Sequence, residues 1–172
     1  MAQKIFIMET LIDYYKGKWD KGFQSLVDKL SDKYPCVESF NIDQKNTVGY
    51  IDVKMSSGSE KKVSVRIEYD NTDGCSKNYK YGIYLGIKSD QEISDIRIPL
   101  IWKKYQEIIL RSCGFQMENV FLHGDTNSSK DNSYWAFWLH LEDKYDLVDA
   151  FEPMSLIVDS LIAQGFTLCH NW

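Results

Sequence analysis

The hydrophobic residues of the chain first recur at helical spacing and then alternate with polar ones. Apolar residues at intervals of three and four predict two N-terminal helices, with Asp20 as the N-cap of the second and Pro35 after its end. The same spacing predicts a later helix over Pro99–Gly114 and a C-terminal helix over about Pro153–Gln164. Two helices are therefore expected at the N-terminus, one in the second half of the chain and one at the C-terminus.

Between the helices the period changes to two, which indicates strands. The strand candidates, in chain order, are CVESFNID, TVGYIDVKM, KKVSVRIEYD, NYKYGIYLGIK, MENVFLH and SYWAFWLHLE. In the third of them Val63, Val65, Ile67 and Tyr69 alternate with Ser64, Arg66, Glu68 and Asp70. Such alternation predicts an antiparallel sheet with one face on the core and the other in water.

The order of these elements predicts an α+β fold. We expect a mostly antiparallel sheet of about six strands with helices packed on it, including two N-terminal helices and a C-terminal helix. A chain of 172 residues with 44% hydrophobic residues favours a single domain over 1–172. The SYWAFWLHLE segment is apolar at both alternating sets of positions, which predicts a central strand covered on both faces, or else an exposed recognition surface.

Charge is distributed unevenly along the chain. The net charge is −5, and the acidic residues after Leu141 are opposed by Lys144 alone. We interpret part of this segment as a surface that steers a basic protein partner, formed by Glu142, Asp143, Asp146 and Asp149. The alternative is an ordinary solvated helix face. Direct binding to nucleic acid is not favoured, since no basic groove is evident.

Four scattered cysteines and three isolated histidines give no motif for a metal or a nucleophile. We therefore predict reduced thiols, no metal site and no cofactor. The N-terminus lacks the pattern of a signal peptide, and no apolar run is long enough to cross a membrane. These features predict a cytoplasmic protein with no membrane partner.

One short motif carries candidate chemistry. Asp52, Val53 and Lys54 place a carboxylate and an ammonium group on the same face of a strand, where a second carboxylate such as Asp43 or Glu38 would complete a Mg²⁺ site. This resembles the (D/E)xK half of the PD-(D/E)XK nuclease signature, although no Pro-Asp precedes it and the next element is a strand. The resemblance implies catalytic roles for Asp43, Asp52 and Lys54.

The second half of the chain also resembles the C-terminal region of some bacterial PD-(D/E)XK-type proteins. The segments concerned are YGIYLGIKSD, IWKKY and YWAFWLHLED. This resemblance implies an accessory or recognition module in microbial defence or anti-defence, without catalytic residues.

The function that these patterns favour is non-catalytic protein binding. We expect an acidic inhibitor or immunity-type protein that acts on a nucleic-acid enzyme or a defence system. The alternatives are a divergent metal-dependent PD-(D/E)XK-like nuclease and a scaffold subunit that assembles by self-association.

Overall fold

The computed structural model describes residues 13–42, 48–58, 61–70, 82–89, 120–121, 134–140 and 146–170. Its helices are α1 (residues 13–20), α2 (Phe23–Lys33) and α3 (Phe151–Ala163), and a 3-10 turn over Leu147–Ala150 leads into α3. Its strands are β1 (Val37–Phe40), β2 (Val48–Ser57), β3 (Lys61–Asp70), β4 (Gly82–Ser89), β5 (Val120–Phe121), β6 (Tyr134–His140) and β7 (Thr167–Leu168).

These strands form one antiparallel sheet. Its order is β1-β2-β3-β4-β6-β5, and the short β7 pairs with β2 beside β1. The predicted α+β fold is confirmed, with two N-terminal helices, a C-terminal helix and an antiparallel sheet. Among the described residues five strands have four residues or more and two have only two, against about six predicted.

One face of the sheet packs against the helices, as the alternation predicts. Apolar side chains of β2, β3 and β4 form one cluster with α1, α2 and α3, namely Ile51, Val53, Met55, Val63, Val65, Ile67, Tyr69, Ile83, Leu85, Ile87, Trp19, Leu26, Leu30, Ile157 and Leu161. All of these side chains are at most 1% exposed, so this layer is the hydrophobic core of the described part of the chain.

Trp19 is the largest side chain in this core and fixes its surroundings closely. Its indole Nε1 donates a hydrogen bond of 2.8 Å to Asn41 Oδ1, which satisfies the one polar group of the ring. Gly49 lies against it: a Cβ atom there would be 2.7 Å from Ile42 Cγ1 and 3.0 Å from Trp19 Nε1. A larger residue at position 49 would therefore collide with both neighbours.

The junction between α1 and α2 differs from the prediction. The N-cap of α2 is Gly22, with φ of 82°, and Asp20 instead belongs to α1 and bonds to Lys16. Only two residues separate the helices, and the second of them is in the left-handed region, where glycine is favoured. A Cβ at Gly22 would also lie 3.2 Å from the Val148 nitrogen of the 3-10 turn.

Two further expectations have different outcomes. The Trp-rich strand β6 lies between β4 and β5, so its interior position in the sheet is confirmed, while the packing of its side chains stays a prediction. The predicted helix over Pro99–Gly114 lies outside the described residues. No helix in the described part of the chain is long and apolar enough to span a membrane.

Candidate functional site

The second face of the sheet carries a network of four charged side chains. Antiparallel register places Asp52 of β2 opposite Arg66 of β3, and Glu68 of β3 lies two residues further along the same face. Arg66 donates to both oxygens of Asp52, from Nε at 2.6 Å and from Nη2 at 2.5 Å, and its Nη1 reaches Glu68 at 2.9 Å. Lys88 of β4 reaches the same Glu68 oxygen at 3.3 Å.

This network is buried, which corrects the expectation that the polar face is in water. The exposed fractions of the side chains are 2% for Asp52, 7% for Glu68, 15% for Lys88 and 16% for Arg66. Among the described residues two carboxylates face two cations, and buried charges require this kind of pairing. Period-two alternation identifies the face of the strand but does not distinguish solvent from a buried ion network.

Arg66 is the centre of the network. Burial by itself lowers the pKa of Arg66, but the hydrogen bonds and charges of Asp52 and Glu68 outweigh this effect and raise that pKa above its ordinary value. The guanidinium also lies 4.3 Å from the centroid of the Tyr50 ring, and Tyr50 in turn stacks on Phe40 at 5.9 Å. The guanidinium thus makes a two-pronged hydrogen bond to one carboxylate and also contacts an aromatic ring.

The face becomes more exposed towards β1. Glu38 is the register partner of Asp52, and its side chain forms an ion pair with Lys54. The side chain of Glu38 is 47% exposed and that of Lys54 is 20% exposed. The structure thus brings Glu38, Asp52 and Lys54 onto one face, while Asp43 lies outside the described residues.

This geometry determines what the DxK motif does in the structure. Both Asp52 oxygens accept hydrogen bonds from Arg66, so a guanidinium engages the carboxylate that a Mg²⁺ site built on this motif would need. Within the described part of the chain, no three His, Cys, Asp or Glu side chains form a group suited to a metal ion. The observed role of the buried Asp52 is to pair with the partly buried Arg66.

The structure describes two of the four acidic residues proposed for protein binding, Asp146 and Asp149. Asp146 precedes the 3-10 turn and is 52% exposed, and its Oδ1 accepts a hydrogen bond of 2.7 Å from Lys21. This contact raises the pKa of Lys21. Asp149 is exposed within the turn, while Glu142 and Asp143 lie outside the described residues.

Three acidic residues follow one another along the start of α3. Asp146, Asp149 and Glu152 are spaced by three, all are exposed, and we call them the acidic ridge. Residues three apart eclipse one another in a 3-10 turn and share a face on an α-helix. Asp149 and Glu152 make no ion pair with another described residue, although the charge of Asp149 contributes to raising the pKa of Lys21.

The buried members Arg66 and Glu68 are the part of this site that sequence reasoning missed. Their signal was available in principle, because Asp52 and Arg66 carry opposite charges on neighbouring strands. It becomes visible only when the register of β2 against β3 is known.

No protein-family model, curated protein sequence or solved structure matches the chain.

Proposed function

We propose that the protein is a non-catalytic binding module whose acidic ridge docks on a basic surface of another protein. The observation that carries the proposal is the exposure of Asp149 and Glu152 without an ion-pair partner among the described residues. Exposed like charges of this kind act at long range, and they accelerate association with an oppositely charged surface. An inhibitor or immunity-type protein that occupies a basic site on a nucleic-acid enzyme needs exposed negative charges of this kind to be attracted to that site.

A structural role also exists for these carboxylates. Asp149 lies in the turn and Glu152 in the first turn of α3, where the helix dipole favours negative charge. That role contributes about 0.3–1 kcal/mol per group and does not depend on a partner. The two roles are separable, because only docking makes association with another protein depend on salt.

The test compares two variants that each remove two negative charges. Asp149→Asn with Glu152→Gln changes the acidic ridge, and Asp28→Asn with Asp32→Asn changes exposed residues of α2 as the control. Each protein is immobilised and exposed to lysate of its host, and the captured proteins are identified and purified. Association rates are then measured at several salt concentrations.

We expect the unmodified chain and the α2 control to bind the same basic protein, with an on-rate that falls as salt rises. The ridge variant should associate about tenfold more slowly at low salt, and its rate should depend less on salt. Equal association rates for all three proteins would contradict docking through the ridge. A concentration-dependent rise in mass of the pure protein, without any captured partner, would instead indicate a self-associating scaffold.

A metal-dependent nuclease is the second candidate, and one observation favours it. Register brings Glu38, Asp52 and Lys54 together on one sheet face, as the PD-(D/E)XK resemblance requires for its carboxylates and lysine. The test is cleavage of DNA or RNA by the pure protein with Mg²⁺ or Mn²⁺. Cleavage that disappears in Lys54→Gln, while that variant keeps its unfolding midpoint, would replace the binding proposal with catalysis.

A further inference from the structure

Two cysteines that are distant in sequence meet at one edge of β2. Cys36 is the residue before β1 and Cys169 is the residue after β7, and both strands pair with the same edge of β2. The backbone oxygen of Lys54 accepts from both of them, from the Cys36 thiol at 3.3 Å and from the Cys169 backbone nitrogen at 3.1 Å. Because both donors contact one oxygen, the two cysteines are immediate neighbours.

Their surroundings differ in a way that assigns them different reactivities. Cys36 is 5% exposed, whereas Cys169 is partly exposed. Burial raises the pKa of the Cys36 thiol, and this effect outweighs the backbone hydrogen bond of Cys169, which lowers it. Cys36 is therefore held as a protonated thiol that solvent reagents do not reach, while Cys169 is open to them.

We propose that Cys36 and Cys169 form a thiol-modification site, which a small-molecule disulfide such as oxidised glutathione converts into an intramolecular disulfide. The Cys169 thiolate attacks one sulfur of oxidised glutathione, the sulfur–sulfur bond breaks, and one glutathione thiolate leaves. Cys36 then gives up its proton and its sulfur attacks Cys169, releasing the second glutathione. Two protein thiols are oxidised, and one glutathione disulfide is reduced to two thiols that receive the protons.

This bond would join the ends of β7 and β1 along the β2 edge. It would enclose most of the chain, from position 36 to position 169, so it would restrict the unfolded chain strongly. We therefore expect oxidation to raise the unfolding temperature by about 5–15 °C. The site is independent of the acidic ridge, and its test does not require a binding partner.

The test uses the chain with Cys75→Ser and Cys113→Ser, which leaves only the proposed pair. The folded protein is treated with oxidised glutathione, denatured, alkylated with N-ethylmaleimide and weighed as an intact protein. We expect a monomer that has lost two hydrogens and carries no alkyl group. Adding Cys36→Ser should trap a single glutathione on Cys169, and adding Cys169→Ser instead should leave Cys36 unmodified in the folded protein.

Two alkyl groups, two glutathione adducts or a disulfide-linked dimer would each overturn the proposal. Peptide mapping of the oxidised natural sequence decides the question without any substitution. Trypsin yields peptides 34–45 and 145–172, each with one cysteine, and the proposal requires these two to be joined. Joining of either peptide to one that contains Cys75 or Cys113 would also overturn it.

Discussion

Replacing Arg66 by methionine should destabilise the protein strongly. Asp52 would lose both of its hydrogen bonds to the guanidinium, and Lys88 would remain the partner of Glu68 within the described part of the chain. Removing one partner of a buried ion pair costs about 3–5 kcal/mol, because the other charge remains buried and unpaired. Since Lys88 still compensates Glu68, we expect about 3 kcal/mol, which lowers the unfolding temperature by about 6–12 °C in a chain of this size.

Urea unfolding at neutral pH, followed by circular dichroism and tryptophan fluorescence, measures this cost. The matched control is Lys33→Met, the same change of a cation to methionine in an exposed pair. Lys33 bonds to Asp159 at 3.0 Å, but their side chains are 41% and 51% exposed, so we expect less than about 1 kcal/mol. Arg66→Lys keeps the charge without the two-pronged donor geometry, and its cost should lie between those of the two methionine variants.

A double-mutant cycle isolates the Asp52–Arg66 contact from the rest of the network. Asp52→Asn and Arg66→Met are measured singly and together, and the double variant should cost less than the two single costs added. Contacting residues in one ion network couple by about 0.5–3 kcal/mol, and the doubly hydrogen-bonded geometry favours the upper part of this range. A coupling energy near zero, or an Arg66→Met protein as stable as Lys33→Met, would refute the claim that this pair is buried and interdependent.

Three further outcomes follow from the core. Gly49→Ala should lower the free energy of unfolding by about 1–3 kcal/mol in urea titrations, because the new methyl group meets Ile42 and Trp19, and an unchanged midpoint would exclude this close approach. Asn41→Ala should cost about 1–3 kcal/mol and alter tryptophan fluorescence, since the buried Trp19 nitrogen loses its acceptor; a neutral result would show that the bond is replaced. Burial raises the pKa of Cys36 above 9.0 in the folded chain, so stability that is present below pH 9 should fall as pH rises further, and Cys36→Ala should remove part of that slope in unfolding titrations.

The fold was predictable where local periodicity agrees with long-range packing. The KKVSVRIEYD segment was predicted as a strand and forms β3 over the same residues. Every second side chain of this strand packs in the core between the sheet and the helices. The start of α2 was not predicted, since Asp20 and Gly22 are both acceptable helix-start residues by type. The choice depends on the left-handed backbone at position 22, between α1 and α2, and on the closeness of Gly22 to the 3-10 turn.

The candidate site was predictable only in part, because its main contacts join separate strands. The spacing of Asp52 and Lys54 correctly predicted that they share one face. Arg66, which donates hydrogen bonds to Asp52, comes from the neighbouring strand β3. The proximity of Cys36 and Cys169 depends on β7, a two-residue strand that pairs with the same edge of β2 as β1 does. Such contacts depend on register and topology, which a single sequence specifies weakly.

The buried network also determines which substitutions can distinguish binding from catalysis. Asp52→Ala would remove the acceptor of two Arg66 hydrogen bonds and leave Glu68 as the anionic partner of this largely buried cation among the described residues, so any loss of activity in that variant could reflect unfolding. Lys54 is more suitable, because its ion pair with Glu38 lies towards the open edge of the face, where the glutamate is 47% exposed. Nuclease chemistry requires the Lys54 ammonium directly, whereas docking through the acidic ridge does not involve it. A folded Lys54→Gln protein that keeps partner binding therefore supports the binding module, and one that loses metal-dependent cleavage supports the nuclease.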